Sequence, residues 1–539
     1  MSRININNYI GLVVFCSYTM ISAAQSFHIH LDKTYYIVGE SIHYQIYPES
    51  SLINDSMLIY VELYSGEGKM ESQHIHRLLS KSVGGKIDLP VSMKENYYEF
   101  ICYSIWNKQD GDSTRVSSQR TIIPIYNDLD IKPEASELLS DTTKGDTIRA
   151  PAAAKIKVRS DAEVKLDIKD QVQNIAGGEY SVVITDPSSA SAFEGNLVTN
   201  HRDPEKITAG FNIRKELMLE GTVTDPFTHK LIDEKYLSLY IPSIKYFKRI
   251  SAVQGKIKTT LPDLAEYRDL QILSMNPNTR YPLILDLIKT NVTFSINPGS
   301  SKLVRTPAML SILNKHGKQR LINDLFEEHI QDTSVGPLAV PQFVPDKRFI
   351  LAKFQELTTL EEFIKEVMLE ARITTIIGNR KSLRLRSKEK NLLYKWPAWY
   401  MLDGIFQSSE EAMLNFDIAK IKSLELYQRD LSIESQFDPL MKYSGVFSIT
   451  TYLHEEPKDL VYTLNGLSKN SSTSMNRIPP GQPDLRSTLT WQPKLVPDSQ
   501  GMLKINFQSS DLKGKYLIDV QGVNGSGDFV RAQYAITFD

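Results

Sequence analysis

Cysteine is almost absent from this chain, which carries only Cys16 and Cys102 among its 539 residues. Cys16 lies in an amino-terminal segment that we expect to be removed, so a single thiol remains and no internal disulfide can form. Cys102 lies in the apolar run Phe100–Ile105, where it is predicted to be a buried thiol on a β-strand. The domains must therefore be held together by packed cores and hydrogen bonds.

Long apolar runs are also scarce, and the run Ile10–Ile21 is too short to cross a bilayer. With Arg3 before it and the small residues Ser22–Ala24 after it, this run predicts a secretory signal peptide over residues 1–24. Cleavage is expected before Gln25. We therefore expect an exported protein with no transmembrane segment in its mature chain.

The chain also has no large excess of positive or negative charge. The formal net charge is −2 and the pI is about 6.6, which argues against nucleic acid as a partner. Hydrophobic residues make up 41% of the chain, enough for packed cores, and the length predicts several domains. Because 26 Tyr and 20 Phe occur among short alternating runs, we predict a mainly β, multi-domain protein.

The first two modules are predicted to be tandem sandwiches, over residues 25–127 and 128–215. The segment His30–Ile42 reads HLDKTYYIVGESI and resembles the D-[KR]-x-x-Y-x-x-G-E-x-[IV] opening of macroglobulin-like domains, found in alpha-2-macroglobulins. In the second module, Gly178–Asp186 resembles the "L-S-V-x-V-x-D" strand of the next such domain. The resemblance implies two immunoglobulin-like folds.

The third module, residues 216–300, opens with Leu219–Leu231, which reads LEGTVTDPFTHKL. It resembles the first hairpin, "G-x-V-x-D-x-x-T-x-x-P-L", of carboxypeptidase regulatory-like domains, which have a transthyretin-like fold. Lys230 stands where these domains usually have proline. The Asp225-Pro226 pair between two strand-forming runs independently predicts a turn.

Residues 301–375 are predicted to form a helical connector. Apolar residues recur at helical spacing in Met309–His316, and a second helix is predicted to begin near Thr358. Glu361 follows Thr358 by three residues, so Thr358 is the expected N-cap in a capping box.

The next module, residues 376–456, resembles the plug domain of TonB-dependent outer-membrane receptors. Pro397–Gly404 matches a plug strand that ends in Asp-Gly, Ile421–Leu426 matches the "I-x-S-L-E-L" strand, and Tyr443–Thr450 matches "Y-x-G-V-F-x-I-T". This resemblance implies an α+β plug-like fold. A receptor barrel of about 22 strands would follow such a plug, but too few residues remain for one.

The last module, residues 457–539, is predicted to be a C-terminal β-sandwich from three alternating runs: Gly501–Phe507, Gly514–Val520 and Ala532–Phe538. It is similar to the sandwich that closes multi-domain secreted proteins of the Bacteroidota. Macroglobulin-like, regulatory-like and plug-like modules occur in this order in those proteins.

The plug-like module carries the candidate binding residues. A basic stretch runs from residue 380 to residue 390 and is either a solvated loop or a surface that faces a partner. The residues predicted to contact a partner are Arg380, Lys381, Arg384, Arg386, Asp403 and Gly404. For Asp403-Gly404 we expect a turn in which the Asp side chain caps backbone N–H groups, rather than a catalytic role.

No catalytic or cofactor motif emerges. A macroglobulin thioester needs C-x-E-Q, whereas Cys102 is followed by Tyr-Ser-Ile; His454-Glu-Glu-Pro457 lacks the second histidine of a zinc motif. The sequence also contains no Gly-x-Ser-x-Gly elbow and no glycine-rich phosphate loop. We therefore expect a nonenzymatic protein without metal or cofactor.

Two histidine pairs, His28/His30 and His74/His76, leave a metal site open only if they meet across strands, with Asp32 as a further ligand. Exposed polar alternation is the commoner explanation of such pairs. An enzyme with an unrecognised site also stays open, and a cleft that gathers acidic or histidine side chains from different strands would favour it.

The plug resemblance implies a Gram-negative bacterium and a location in the periplasm or at the outer membrane. We thus predict a binding or scaffold protein associated with an outer-membrane assembly, whose plug-like domain docks onto a separate barrel or transport partner. The alternative is a periplasmic or surface accessory protein that binds glycan or peptide. An exposed aromatic platform around Trp106 or Trp491 would favour that alternative, although we expect Trp396, Trp399 and Trp491 to be buried in cores.

Overall fold

The computed structural model describes residues 27–49, 56–108, 114–128, 155–169, 172–186, 211–274, 282–287, 303, 305–326, 344–354, 357–375, 381–429, 443–453, 460–470, 478–479 and 481–539. The predicted signal peptide and Arg380 lie outside these residues. The chain divides into two compact units. Unit 1 combines residues 1–215, 292–331 and 467–539, and unit 2 combines residues 216–291 and 332–466.

Strands dominate the described residues, which confirms the mainly β prediction. The strands of the first half are β1 Phe27–Leu31, β2 Tyr36–Ile37, β3 Ser41–Pro48, β4 Leu58–Ser65, β5 Met70–Arg77, β6 Val83–Asp88, β7 Asn96–Lys108, β8 Thr114–Tyr126, β9 Lys155–Ile156, β10 Asp161–Asp167, β11 Glu179–Thr185, β12 Phe211–Ile213, β13 Leu217–Thr224, β14 Leu237–Ile241, β15 Tyr246–Ile250, β16 Ala252–Val253, β17 Lys256–Leu261, β18 Tyr267–Ser274 and β19 Ile284–Leu287. Those of the second half are β20 Lys347–Ile350, β21 Ala371–Thr375, β22 Lys381–Leu385, β23 Trp399–Leu402, β24 Ile405–Gln407, β25 Ile421–Gln428, β26 Gly445–Thr451, β27 Tyr462–Asn465, β28 Thr488–Leu495, β29 Met502–Gln508, β30 Gly514–Val523 and β31 Phe529–Phe538. The α-helices are α1 Pro307–Phe326, α2 Leu360–Glu366 and α3 Glu410–Leu414. Each of them is too short or too polar to cross a membrane.

Unit 1 begins with a first sandwich, made of the sheets β1-β3-β6 and β2-β8-β7-β4-β5, with β12 paired to β7. Its strands alternate apolar and polar side chains, so the inner faces of both sheets supply one core. Phe27, Tyr44, Val61 and Phe100 are fully buried there. Cys102 is also fully buried in this core, as predicted, and burial raises the pKa of its thiol.

The second sandwich of unit 1, here called the C-terminal sandwich, faces the sheet β28-β11-β30-β31-β9 with the pair β10-β29. Strands β11 and β28–β31 were predicted to lie in separate modules, yet β11 lies between β28 and β30. Six of the seven residues of β11 are buried, as in a strand covered on both faces. Alternation along a strand indicates which face is buried, but it does not identify a partner strand 300 residues away.

The predicted connector, residues 301–375, is divided between the units. Helix α1 belongs to unit 1, where Met309 and Leu313 pack against Tyr35, Ile37 and Tyr126 of the first sandwich. The segment from residue 344 onward belongs to unit 2. Helical periodicity correctly predicted an apolar face on α1, but the periodicity does not reveal which domain covers that face.

Unit 2 contains a third sandwich with the sheets β16-β17-β13-β19 and β15-β14-β18-β27. Strand β27, which the sequence analysis placed in the last module, pairs with β18 of this sandwich. The inward residues of β13 and β14 include Leu219, Val223, Leu237 and Leu239, all fully buried.

The rest of unit 2 is a mixed-sheet domain with strand order β20-β25-β26-β23-β24, in which β23 and β26 are parallel. The three segments singled out by the plug resemblance form β23, β25 and β26, which are neighbours in this sheet. Helix α2 covers one face with Leu360, Phe363 and Ile364, and α3 adds Met413 and Leu414.

Helix α2 begins one residue later than predicted. Its N-cap is Thr359, whose Oγ1 accepts the Glu362 N–H at 3.1 Å, while the Glu362 carboxylate accepts from the Thr358 N–H and hydroxyl at 3.1 and 2.9 Å. The sequence Thr-Thr-Leu-Glu-Glu offers two Thr/Glu pairs at the same spacing, so the pattern alone could not choose between them.

Thr359→Ala is expected to reduce the free energy of unfolding of unit 2 by about 1 kcal/mol, because one N–H of the first turn loses its acceptor. Urea unfolding monitored by circular dichroism measures the loss. Thr358→Ala, which keeps the cap, should cost clearly less. Equal losses in the two variants would contradict the observed cap.

Candidate functional site

Asp403 and Gly404 form the turn that joins β23 to β24. Both have positive φ, +48° and +86°, the conformation of a two-residue hairpin turn with Asp-Gly at its centre. The Asp403 carboxylate accepts the Thr451 N–H at 2.7 Å and the Thr451 hydroxyl at 2.6 Å. The predicted capping turn is confirmed, and both carboxylate oxygens of Asp403 are used inside the domain.

The same turn also contacts the third sandwich of unit 2. Tyr240 donates its hydroxyl to the Gly404 carbonyl at 2.8 Å, and Gln271 exchanges two hydrogen bonds with the backbone of Phe406 at 2.9 and 3.0 Å. Phe247 and Trp399 pack around these groups in one buried aromatic cluster. The β24 side of the mixed sheet is therefore covered within unit 2.

Lys381 and Arg384 lie on a two-stranded hairpin beside the mixed sheet, here called the arginine hairpin (β21 and β22), and Arg386 follows directly after β22. Its inner face packs Ala371, Leu383 and Leu385 into the core of the mixed-sheet domain. Its outer face carries Arg372 and Arg384, which lie directly opposite each other across the two strands. Arg384 was among the predicted contact residues, whereas Arg372 was not. The position of Arg372 between Ala371 and Ile373 is the alternation signal that could have predicted it.

The other predicted contact residues are engaged within the domain. Lys381 forms an ion pair with Glu361, and Arg386 donates to the carbonyl of Asn391 at 3.1 Å. In contrast, neither Arg372 nor Arg384 has an ion-pair partner in the described part of the chain.

This pair of arginines is electrostatically unfavourable by itself. Like charges that face each other across two strands repel, and a guanidinium cannot relieve the repulsion by losing its proton. Arg372 is exposed and Arg384 is half-buried. Two guanidinium groups on one face form a surface that a carboxylate-bearing partner would neutralise.

The two histidine pairs of the first sandwich do not meet. His74 Nδ1 and His76 Nε2 share the hydroxyl of Tyr44 at 2.8 and 2.7 Å. His28 instead stacks on Phe529 with a ring-centroid distance of 3.8 Å. The arrangement that would have supported a metal site is therefore not formed by these pairs.

His30 lies at the contact between the first and C-terminal sandwiches. Its Nδ1 is 2.6 Å from Ser181 Oγ and its Nε2 is 3.9 Å from Asp519, while Tyr47 donates to Ser181 at 2.8 Å. The residue types are those of a hydrolase triad, but His30 is 1% exposed and Ser181 is fully buried. A substrate cannot reach this serine, so the cluster joins two domains rather than catalysing a reaction.

Trp491 and Trp399 are 1% and 5% exposed, which confirms their predicted core positions. Trp396 and Trp106 are half-buried. The Trp491 ring packs edge-on against His30 at 4.9 Å, so it does not provide the exposed aromatic platform that would have favoured glycan binding.

The residues of the macroglobulin-like motif form a hydrogen-bonded corner at the end of β1. The Asp32 carboxylate accepts the Tyr36 hydroxyl at 2.7 Å and the His43 N–H at 3.0 Å. Burial raises the pKa of Asp32 to about 6, against the opposing effect of Lys33. These contacts explain why the motif pairs an acid with a tyrosine four residues later.

A chain of charges connects this corner to α1. Lys33 Nζ lies 2.6 Å from Glu40, and His316 on α1 joins two carboxylates, with Nε2 3.0 Å from Glu40 and Nδ1 3.1 Å from Asp128. Arg320 also contacts Asp128, at 2.5 Å. Burial lowers the pKa of His316, but the two carboxylates outweigh burial and raise it to about 9. His316 is therefore an imidazolium at neutral pH.

A cleft of about 410 Å³ borders these charges. Its walls are the Asp32–His43 segment of the first sandwich, the Ile312–Arg320 part of α1, and the run Leu485–Trp491 that leads into β28. It gathers acidic and histidine groups from different elements, as the enzyme alternative required. However, Asp32 is hydrogen-bonded within its own segment, and Glu40 and His316 pair with each other, so these contacts account for the three residues without a reaction.

The sequence matches no protein-family model and no curated protein. Among solved structures, it is similar to the alpha-2-macroglobulin of Salmonella, with 9% identity over 95% of this chain and 39% of that chain and a TM-score of 0.24. The native alpha-2-macroglobulin of E. coli has 9% identity over 96% of this chain and 40% of that chain, with a TM-score of 0.25. A tandem-repeat region of a large adhesion protein has 8% identity over 95% of this chain and 99% of that chain, with a TM-score of 0.14. The chain spans about two fifths of the length of the macroglobulins it matches, and similarities this weak assign neither family nor function.

Proposed function

We propose that this chain is an exported, nonenzymatic scaffold protein whose mixed-sheet domain docks onto an acidic surface of a partner in an outer-membrane assembly. The observation that carries the proposal is the pair Arg372 and Arg384, opposed on the outer face of the arginine hairpin and without a carboxylate partner among the described residues. The resemblance of the surrounding strands to a receptor plug supplies the class of partner.

Physical chemistry favours a protein surface with carboxylates as the docking site. A guanidinium binds a carboxylate through two parallel hydrogen bonds, and two adjacent guanidiniums fix the orientation of the partner as well as its charge. Docking also removes the repulsion between Arg372 and Arg384. Electrostatic complementarity of this kind contributes mainly to specificity and to the association rate.

The remaining domains act as the scaffold in this proposal, as macroglobulin-like and regulatory-like modules that space the plug-like domain. Within unit 1, buried contacts such as His30–Ser181 hold two sandwiches together. Within unit 2, Gln271 and Phe406 fix the third sandwich to the mixed-sheet domain. In each unit, buried hydrogen bonds therefore join neighbouring domains.

The double variant Arg372→Gln/Arg384→Gln is expected to bind its partner much more weakly than the wild type. The protein carries a tag after Asp539, and crosslinking in its native host followed by mass spectrometry measures the recovery of each outer-membrane protein. Recovery of the specific partner should fall at least about tenfold, since the loss of about 1.4 kcal/mol already gives that factor and the variant removes two charge-assisted contacts. Lys381→Gln is the matched control on the same strand, because Lys381 is already neutralised by Glu361.

The double variant is expected to keep its fold, because it removes a repulsion and leaves the inner face of the hairpin intact. An unchanged circular dichroism spectrum and thermal transition verify this. Equal recovery of the partner by the wild type and the double variant would refute docking through the hairpin. Recovery of soluble periplasmic proteins alone, under every condition, would refute the outer-membrane association.

A further inference from the structure

The edge of strand β28 borders the unit 1 cleft. In the described residues, β28 pairs with β11 on one side and with no strand on the other. Seven consecutive residues, Leu485–Trp491, line the cleft, and the last four of them, Thr488–Trp491, belong to β28. Successive side chains of a strand point to opposite faces of the sheet, so a cleft on one face would be lined by every second residue. An unbroken run of lining residues therefore indicates that the backbone edge of the strand borders the cleft. Such an edge offers unpaired N–H and C=O groups to an added strand.

A β-bulge shapes this edge. The register between β11 and β28 slips by one residue at Leu489, whose side chain is buried in the core. Thr488 and Trp491 are three residues apart, yet they share one face of the sheet, because their partners Thr185 and Val183 are two residues apart on β11. The bulge thus brings two hydrogen-bonding side chains to the same side of the strand.

Three buried polar atoms at this cleft lack a hydrogen-bond partner within the described residues: Trp491 Nε1, Thr488 Oγ1 and His43 Nδ1. All three residues line the cleft, and the Trp491 side chain is 99% buried. Buried polar groups are nearly always paired, so three unpaired atoms around one cleft indicate a ligand that supplies the missing acceptors and donors.

The charge of the cleft selects the ligand further. Lys33, His316 and Arg320 each contact a carboxylate of the fold. Lys315 lines the same cleft from α1 and has no ion-pair partner in the described part of the chain. One ammonium is therefore available for an anionic group on the ligand.

We propose that this cleft binds an extended peptide with an acidic side chain, which adds as a strand to the edge of β28. The carboxylate of the peptide pairs with Lys315, and its backbone receives hydrogen bonds from the Trp491 indole and the Thr488 hydroxyl. The cleft volume of about 410 Å³ lies in the range of ligand sites. Because the cleft belongs to unit 1, this activity is independent of docking by the arginine hairpin.

A peptide explains these features better than a glycan does. An added strand binds through hydrogen bonds between backbones, and the N–H and C=O groups of an extended peptide match those along a strand edge. A sugar ring would require an open aromatic face, whereas the Trp491 ring is enclosed by His30 and His43. The unpaired polar atom of Trp491 is its indole Nε1, whose N–H binds an acceptor and not an apolar surface.

The test is a selection of phage-displayed random heptapeptides on the immobilised full-length protein, with Lys315→Glu as the counter-selection. The enriched peptides are expected to contain Asp or Glu and to avoid proline at their centre. The best peptide, synthesised with a fluorescein label, should bind the wild type about tenfold more tightly than Lys315→Gln in an anisotropy titration. Lys318→Gln, an exposed neighbour on α1, is the matched control and should bind like the wild type.

Two changes in the peptide separate side-chain recognition from strand addition. Replacing its acidic residue with glutamine should abolish the difference between the wild type and Lys315→Gln, and N-methylation of alternate backbone amides should weaken binding to both proteins. Absence of enrichment over the Lys315→Glu counter-selection, or equal affinity for Lys315→Gln, would overturn the proposal. Displacement of the peptide by an oligogalacturonate at lower concentration would assign the cleft to glycans instead.

Discussion

Lowering the pH from neutral to about 5 destabilises unit 1 by on the order of 3 kcal/mol, because three histidines of the first sandwich are buried in their neutral form. Burial lowers the pKa of His30 and His43 to about 4 and that of His76 to about 3. The charge of Asp519 partly raises the pKa of His30 again, whereas His74 lowers the pKa of His76 further.

The sign of this effect follows from proton uptake. A histidine in the unfolded chain takes up a proton near its ordinary pKa of 6.5, but these three cannot do so in the fold. The stability that these three histidines contribute is therefore fully present above pH 6.5 and is lost as the pH falls toward their folded-state pKa values. Asp32 has the opposite effect on stability. Burial raises its pKa to about 6, so it takes up a proton in the fold at a higher pH than in the unfolded chain, and this offsets about 1 kcal/mol of the loss.

Hydrogen exchange of peptides from β3, β4 and β7, at pH values between 5 and 7.5 and corrected for intrinsic rates, measures this loss within unit 1. His76→Gln keeps a hydrogen-bonding group near Tyr44 and should reduce the pH dependence by about a third, since one of three equivalent proton sites is removed. Protection that does not change with pH in the wild type would contradict the burial of these histidines in neutral form.

Glu40→Gln is expected to cost unit 1 about 3 kcal/mol, because it leaves two enclosed cations without their shared anion. Glu40 contacts Lys33 at 2.6 Å and His316 at 3.0 Å, and it accepts the Ile37 N–H at 3.0 Å. Burial alone would raise the pKa of Glu40, but Lys33 and His316 outweigh burial and hold it well below its ordinary value. The carboxylate is thus the centre of the charge chain.

Thermal unfolding at pH 7 measures this loss, with Glu71→Gln as the control. Glu71 also pairs with a lysine, at 2.9 Å, but that lysine is 71% exposed, so the control should behave like the wild type. The wild type should also lose stability as the pH rises from 6.5 through 9, because His316 has a raised pKa in the fold. This alkaline loss should shrink in Glu40→Gln. A variant as stable as the control would show that the charge chain contributes little.

Local patterns in the sequence predicted the strands well. The alternation around Cys102 and the three plug-like segments correspond to β7, β23, β25 and β26, and the Asp403-Gly404 turn has the predicted cap. These features depend on neighbours within a few residues, where periodicity and turn chemistry act directly.

Contacts between distant segments could not be predicted in the same way. Strand β11 pairs with strands some 300 residues away, and the cleft combines Glu40, His316 and Trp491. Arg372 became a candidate only when its register opposite Arg384 was known. Pairing partners depend on the global topology, since many strands of this chain have the same alternation and would fit the same edge equally well.

Site-specific photo-crosslinking tests the docking of the arginine hairpin most directly. Thr375 at the exposed end of the hairpin and Lys422, exposed on β25, are each replaced by p-benzoylphenylalanine in the protein expressed in its native host. We predict that the probe at Thr375 crosslinks to an outer-membrane protein, that the probe at Lys422 does not, and that Arg372→Gln/Arg384→Gln abolishes the crosslink. Crosslinks of equal yield from both positions, or a crosslink that persists in the double variant, would contradict docking through this hairpin.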